Sequence, residues 1–349
     1  MSLHRNCLEN TRTNQLLTGL VLLVALALLF CAPFSCFPQE RREVPQIHGS
    51  AESTLQLSYE TSPDRYNLEI PLITSVRVTY ETEKVESVFS VDYLEELGLG
   101  ETYVRGGTEY SHMKFGYYVV DWGVGYSISP LGGVNSIDSR YPQNIFYWKQ
   151  YAPYPSFMMT IGNSSIYNQL FIAQRDELSR SVDEGDLGIR GVVHSNDATV
   201  CLGFLRKFGA PPPIFFLTVK NSGERGESWM ELNWEYNREG RDVWTFLLGM
   251  KQQLSSSTFY AEYIIERSDN FLFLQQALMP NTSTQLSIRF FFHVPEFSSA
   301  LNGFVALAVD KTLTFEPGFY LFIGKPESFF SPLRTGNDNS LYMKISFEF

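Results

Sequence analysis

The chain carries five histidines, His4, His48, His112, His194 and His293, and four cysteines. The tempting stretch is VVHSNDA, residues 192–198, which sets a potential base beside a hydroxyl, His194 next to Ser195. A base activates a nucleophile only within hydrogen-bond reach, and on an extended strand adjacent side chains leave opposite faces. Asn196 and Asp197 read instead as a turn between two strands. His293, two residues from Phe291 and four from Arg289, reads as a residue of a wet wall. No Cys/His metal spacing, GxxxxGK[ST] phosphate loop or HExxH pair is present. Gly123 and Gly125 lie inside an alternating run, where they ease curvature or make room for a neighbour rather than cradle a phosphate. The expectation is therefore neither an enzyme nor a binder of metal or cofactor.

What remains is a set of polar residues at alternate positions of apolar runs: Glu69, Arg77, Asp121, Glu231, Lys251, Arg289 and His293. The runs that carry them have period two, the signature of strands. Between Tyr66 and Tyr80 the even positions are Tyr, Leu, Ile, Leu, Thr, Val, Val, Tyr. YVVDWGVGYSIS puts Tyr118, Val120, Trp122, Val124, Tyr126 and Ile128 on one side. WMELNWEY and VWTFLLGMK set Met230, Leu232, Trp234, Tyr236, Trp244, Phe246, Leu248 and Met250 opposite the charges. TQLSIRFFFHV does the same with Leu286, Ile288, Phe290, Phe292 and Val294. Further strands are expected near 54–60, 85–91, 156–162, 168–175, 187–194, 198–206, 213–220, 257–266, 271–278, 303–310 and 313–323. VDYLEELGLG suggests one short helix ending at Gly98, and residues 165–186 read as strand, loop or helix.

A soluble sandwich and a membrane barrel both show alternation; three features favour lipid. No Asp, Glu, Lys or Arg falls on the apolar faces, where Arg or Lys at the bilayer midplane would cost about 2–4 kcal/mol. Several runs persist for about ten residues, enough to cross the apolar band when tilted. Tyr and Trp cluster at run ends, as headgroup girdles require.

The last ten residues, SLYMKISFEF, end on an aromatic with Leu341, Met343, Ile345, Phe347 and Phe349 at alternate positions. This strand resembles the C-terminal assembly signal of Gram-negative outer-membrane β-barrel proteins. The resemblance covers about ten residues firmly and the alternating pattern loosely, and it points to no family within that class. It implies an all-β transmembrane antiparallel barrel, inserted by the β-barrel assembly machinery with periplasmic chaperones, whose last strand closes on the first. Related outer-membrane lipid hydrolases carry His-x-Ser on a strand, whereas His194 and Ser195 are adjacent.

Residues 1–36, with Arg5, Arg12 and the apolar run 16–34, read as a signal peptide cleaved near 35–39; a retained anchor is the alternative. Cys31 and Cys36 fit lipid attachment poorly. Removing residues 1–36 leaves 25 bases against 37 acids, a charge of -12, and only Cys201 among the cysteines. So acidic a chain is not expected to bind nucleic acid. Residues 37–53 are expected to be a linker or a plug, and 54–349 a barrel of 12–16 strands, best 14. Residues 130–157 form the longest expected outer loop.

The expected function is porin-like passage of small solutes across the outer membrane, with mild cation preference. A hydrophobic-ligand transporter and a surface adhesin or structural barrel are the alternatives. The pattern leaves the oligomeric state open.

Overall fold

The computed structural model describes residues 46–60, 65–69, 72–94, 96–127, 153–174, 185–206, 213–235, 242–266, 269–325, 327–330 and 339–348. The expected signal peptide, residues 37–45, most of the expected long loop and Phe349 lie outside them.

The described chain is built from β segments. They begin with β1 (Gln46–Glu60), β2 (Arg65–Glu69), β3 (Leu72–Glu81), β4 (Val85–Leu94), β5 (Glu96–Leu99), β6 (Thr102–Thr108) and β7 (Ser111–Tyr118). Next come β8 (Tyr154–Gly162), β9 (Ile166–Gln174), β10 (Gly185–His194), β11 (Ala198–Arg206), β12 (Ile214–Gly223) and β13 (Gly226–Glu235). The last are β14 (Val243–Leu254), β15 (Ser257–Glu266), β16 (Asp269–Asn281), β17 (Thr284–His293), β18 (Ser298–Ala308), β19 (Leu313–Ile323) and β20 (Asn339–Glu348). All pairings are antiparallel, and β20 pairs with β1 from Ser50↔Glu348 to Tyr59↔Asn339, which closes the sheet into a barrel.

Two pairs of segments are single strands. Gln56↔Glu69 and Ser53↔Leu72 belong to one register, so β2 and β3 face β1 as one strand. β5 and β6 both face β4, offset by one residue between Val91↔Leu99 and Val88↔Tyr103, as at a β-bulge. The twenty segments thus make eighteen strands, two pairs counting once each. This exceeds the expected 12–16. The reason is economy of connection: one rim uses turns of two residues at 109–110, 224–225, 255–256 and 282–283, leaving chain for more strands. The opposite rim carries the long connections. β1 also takes in residues 46–53, which the sequence reading gave to the linker or plug.

The expected faces hold over most of the wall. Trp244, Leu248, Met250, Leu286, Ile288, Leu341, Met343 and Phe347 are exposed on the outside, while Glu231, Asn233, Leu247, Ser287, Phe291 and His293 are buried inside. Outside, towards the long-loop rim, the Trp234 and Trp244 rings stack at 5.6 Å, with Phe215 5.4 Å from Trp234. This is the amphipathic band that a headgroup zone favours.

Two readings are corrected and one is resolved. The expected helix at VDYLEELGLG is the end of β4 and β5, reversing between Leu94 and Glu96. Cross-strand pairing outweighs the weak helical preference of such a short stretch. The ambiguous run 165–186 contains strand β9 and the start of β10. Over its described part, residues 118–127, the expected strand does not form: Tyr118 ends β7 facing inwards, and residues 119–127 pack along the inner wall with only an isolated bridge at Asp121. Its alternation has another cause, taken up below.

Candidate functional site

Eighteen strands enclose a lumen wide enough for water, and what fills it decides what the protein can do. Residues 119–127 lie across the inner wall and are fastened mainly through their own backbone. Glu101 accepts the Val119 N–H at 3.2 Å. Glu231 accepts the Val124 N–H at 3.1 Å. Glu262 accepts the N–H groups of Tyr126 and Ser127 and the Ser127 hydroxyl. Glu262 also takes the Trp229 indole N–H at 2.8 Å, and Glu231 the Asn233 amide at 2.9 Å. Buried carboxylates are tolerable only with such a complement of donors.

The side chains of the segment then pack on the wall. Trp122 sits edge-on to Phe171 at 4.6 Å and 5.8 Å from Phe216, with the Arg190 guanidinium 5.0 Å over its ring. Tyr126 stacks on Tyr260 at 4.1 Å. Two glycines make the fit possible. A Cβ at Gly188 would overlap the Phe171 and Trp122 rings, and one at Gly249 would overlap the Trp229 indole. Val120 and Trp122 are thus apolar against the inner wall, not against lipid, and Ile128 lies outside the described residues. Gly123 and Gly125 belong to this segment, with the Gly123 N–H on Asp121 Oδ1 at 3.0 Å.

Aromatic side chains gather in two groups inside. One joins Trp229, Leu247, Phe271, Phe273, Phe291 and Phe304. The other joins Tyr103, Tyr118, Trp122, Phe171, Leu205 and Phe216. Towards the short-turn rim the inner wall is charged and open to solvent. Lys220 and Lys251 share Glu227, at 3.0 and 3.8 Å, with Lys220 42% exposed. Arg105 meets Glu86 at 3.5 Å, and Arg77 meets Glu101 at 3.5 Å with 43% of Arg77 exposed. The Lys114 ammonium lies 3.6 Å from the Tyr103 ring centre and 4.2 Å from that of Tyr118.

The residues singled out in sequence do not form one cluster. Asp121 belongs to the inward segment, which Glu231 holds at the Val124 N–H. Arg77 reaches the same segment through Glu101, and Lys251 belongs to the pair of lysines on Glu227. Arg289 faces inwards with its guanidinium 5.0 Å over Phe304. His293 is buried, not wet: it lies 3.1 Å from Asp269 and 3.3 Å from Glu296, stacked on Phe271. His194 ends β10 before the turn 195–197, its Nδ1 2.8 Å from the Thr199 hydroxyl. Glu69 lies in register with Gln56 of β1. Sequence reasoning missed Glu101, Glu262, Lys114 and Arg190. The signal was there for Lys114, since Met113, Phe115 and Tyr117 alternate with His112 and Lys114. Among the described residues no group of three or more His, Cys, Asp or Glu could hold a metal ion.

A closed antiparallel barrel with tight turns at one rim, long connections at the other and a segment folded into its lumen is a transmembrane β-barrel of the porin fold. Solved structures of that fold align with most of the chain. A mutant of the Rhodopseudomonas blastica porin is 12% identical, with 88% of this chain and 100% of that chain covered and a TM-score of 0.52. Salmonella typhi OmpF, solved with daunomycin, is 9% identical, with 87% and 97% covered and a TM-score of 0.52. No protein-family model and no curated protein matches the sequence.

Proposed function

We propose that the protein is a porin-like channel in the outer membrane of a diderm bacterium, passing small polar solutes. The observation that carries this is the inner wall itself. Arg77, Lys220, Lys251 and their carboxylate partners are charged groups facing inwards with solvent access, which favours an aqueous interior. The segment 119–127 then sets the bore, since it lies across the lumen and is held by Glu101, Glu231 and Glu262. The Rhodopseudomonas blastica neighbour is a porin, and the C-terminal alternation supports delivery by periplasmic chaperones and the assembly machinery. Transport rather than catalysis fits a wall in which His194 and Ser195 stand at a strand end and a turn. The inner aromatic groups do not favour a hydrophobic-ligand transporter, because Phe271, Phe273, Phe291 and Phe304 are buried against one another instead of lining an open path.

The test is conductance in planar bilayers, after heat-modifiable migration in a detergent gel has shown a folded barrel. Discrete steps in potassium chloride are expected. Trp122→Ala, which loosens the segment from Phe171 and Phe216, raises the unit conductance. A folded barrel that inserts without conducting overturns the channel reading.

A further inference from the structure

Arg289 is the sixth residue of the ten in β17, well inside the wall. It differs from the cations nearer the short-turn rim. Arg77, Arg105, Lys220 and Lys251 each have a glutamate within 4 Å, whereas no carboxylate among the described residues lies within ion-pair reach of Arg289. Its cross-strand neighbours are both neutral amides, Gln275 on β16 and Asn302 on β18. Asn302 directs its amide N–H groups to the Phe319 carbonyl at 3.0 Å and the Tyr342 hydroxyl at 3.1 Å.

Three polar atoms around this position are buried without a partner: Arg289 Nε, Gln275 Oε1 and Ser287 Oγ. Gln275 and Ser287 are only 4% and 2% exposed. Ser287 precedes Arg289 by two on the same face, and Phe304 pairs with Ser287 and lies beneath the guanidinium. A buried donor or acceptor left unmade costs about 1–3 kcal/mol, so three such atoms at neighbouring inward positions of β16 and β17 call for partners that the described residues do not supply. Their complement follows from the inventory of groups. The guanidinium calls for a planar anion, which it grips with two parallel N–H bonds. Gln275 Oε1 calls for a donor on the same molecule. Ser287 can serve either.

From this we infer that Arg289, Gln275 and Ser287 form a mid-lumen subsite for a small carboxylate bearing a hydroxyl or amino group, with Phe304 under the charged end. The inference rests on the channel reading, since such a subsite acts as a station on a solute path, but binding is measurable without conduction.

The experiment is saturation-transfer NMR on the full-length folded protein in detergent, titrated with lactate and, separately, acetate. Lactate saturates, and acetate, lacking the hydroxyl, binds about fivefold more weakly. Arg289→Gln lowers both affinities by more than about tenfold. Gln275→Leu lowers lactate to the level of acetate and leaves acetate unchanged, so it carries the test should the arginine variant fail to fold. A flat lactate titration leaves the three atoms to water and overturns the assignment, as does saturation that survives both substitutions. Absence of bilayer conductance with intact, Arg289-dependent saturation overturns the channel and leaves the subsite standing.

Discussion

Two faces of one strand, β17, meet two different solvents. Leu286, Ile288, Phe290 and Phe292 point outwards, and Ile288 is 57% exposed. Ser287, Arg289, Phe291 and His293 point inwards, between the neighbouring β16 and β18. Phe290 and Phe291 are chemically identical and adjacent, yet Phe291 is locked 4.6 Å from Phe273 while Phe290 stacks loosely with Phe292 at 6.1 Å. The outward face is fluid-solvated and admits any apolar side chain. The inward face is a fitted surface, with Phe291 packed on Phe273 and His293 beside Asp269.

The sharpest way to probe that contrast is to delete the same ring on each side. Phe291→Ala leaves a cavity in the inner aromatic group and lowers stability by about 3–5 kcal/mol. Phe290→Ala costs clearly less, because acyl chains fill the space; urea titrations of the two variants refolded into lipid vesicles check the order. Charge reverses the comparison. Ile288→Arg costs about 2–4 kcal/mol in the same titration, since a guanidinium replaces a methyl in hydrocarbon. Gln285→Arg, on the inner face, stays within about 0.5 kcal/mol, and equal losses at both positions would break the assignment of faces. A smaller and more local effect is expected from Glu262→Gln. The neutral amide keeps one of the two acceptor oxygens, sets an N–H donor against donors at the other, and loses the charge that strengthens the bonds to Tyr126, Ser127 and Trp229, roughly 1–3 kcal/mol in docking of the segment. Hydrogen exchange at the Tyr126 and Ser127 amides rises, while the barrel midpoint in urea hardly moves.

The outward face was legible in the sequence because lipid applies one rule everywhere: no charge at every second residue. That rule picked out the outward residues of β13, β14, β17 and β20. It failed at residues 118–127 for a physical reason. A segment laid along an inner wall also needs one apolar edge, so Val120, Trp122 and Val124 alternate just as a lipid-facing strand does. Period two reports that one side is dry; it does not report which dry surface is touched. The inner wall was legible only in part. Glu231 and Arg289 could be placed on it from alternation, but Glu101 and Glu262 gain their meaning from a segment more than a hundred residues away in one case. The strand count was misjudged because turn length, not strand pattern, decides how many crossings a given chain affords.

The way the inward segment is fastened has one more consequence. Glu101, Glu231 and Glu262 take hold chiefly of peptide N–H groups, which every residue except proline supplies. Outside Val120, Trp122, Val124 and Tyr126, which pack on the wall, and Ser127, whose hydroxyl joins a mooring, substitutions along this stretch can alter width and polarity while the backbone moorings stay intact. On the channel reading the aperture is a replaceable fitting: natural drift or deliberate redesign at exposed Asp121 can retune permeation without asking the surrounding cylinder to refold.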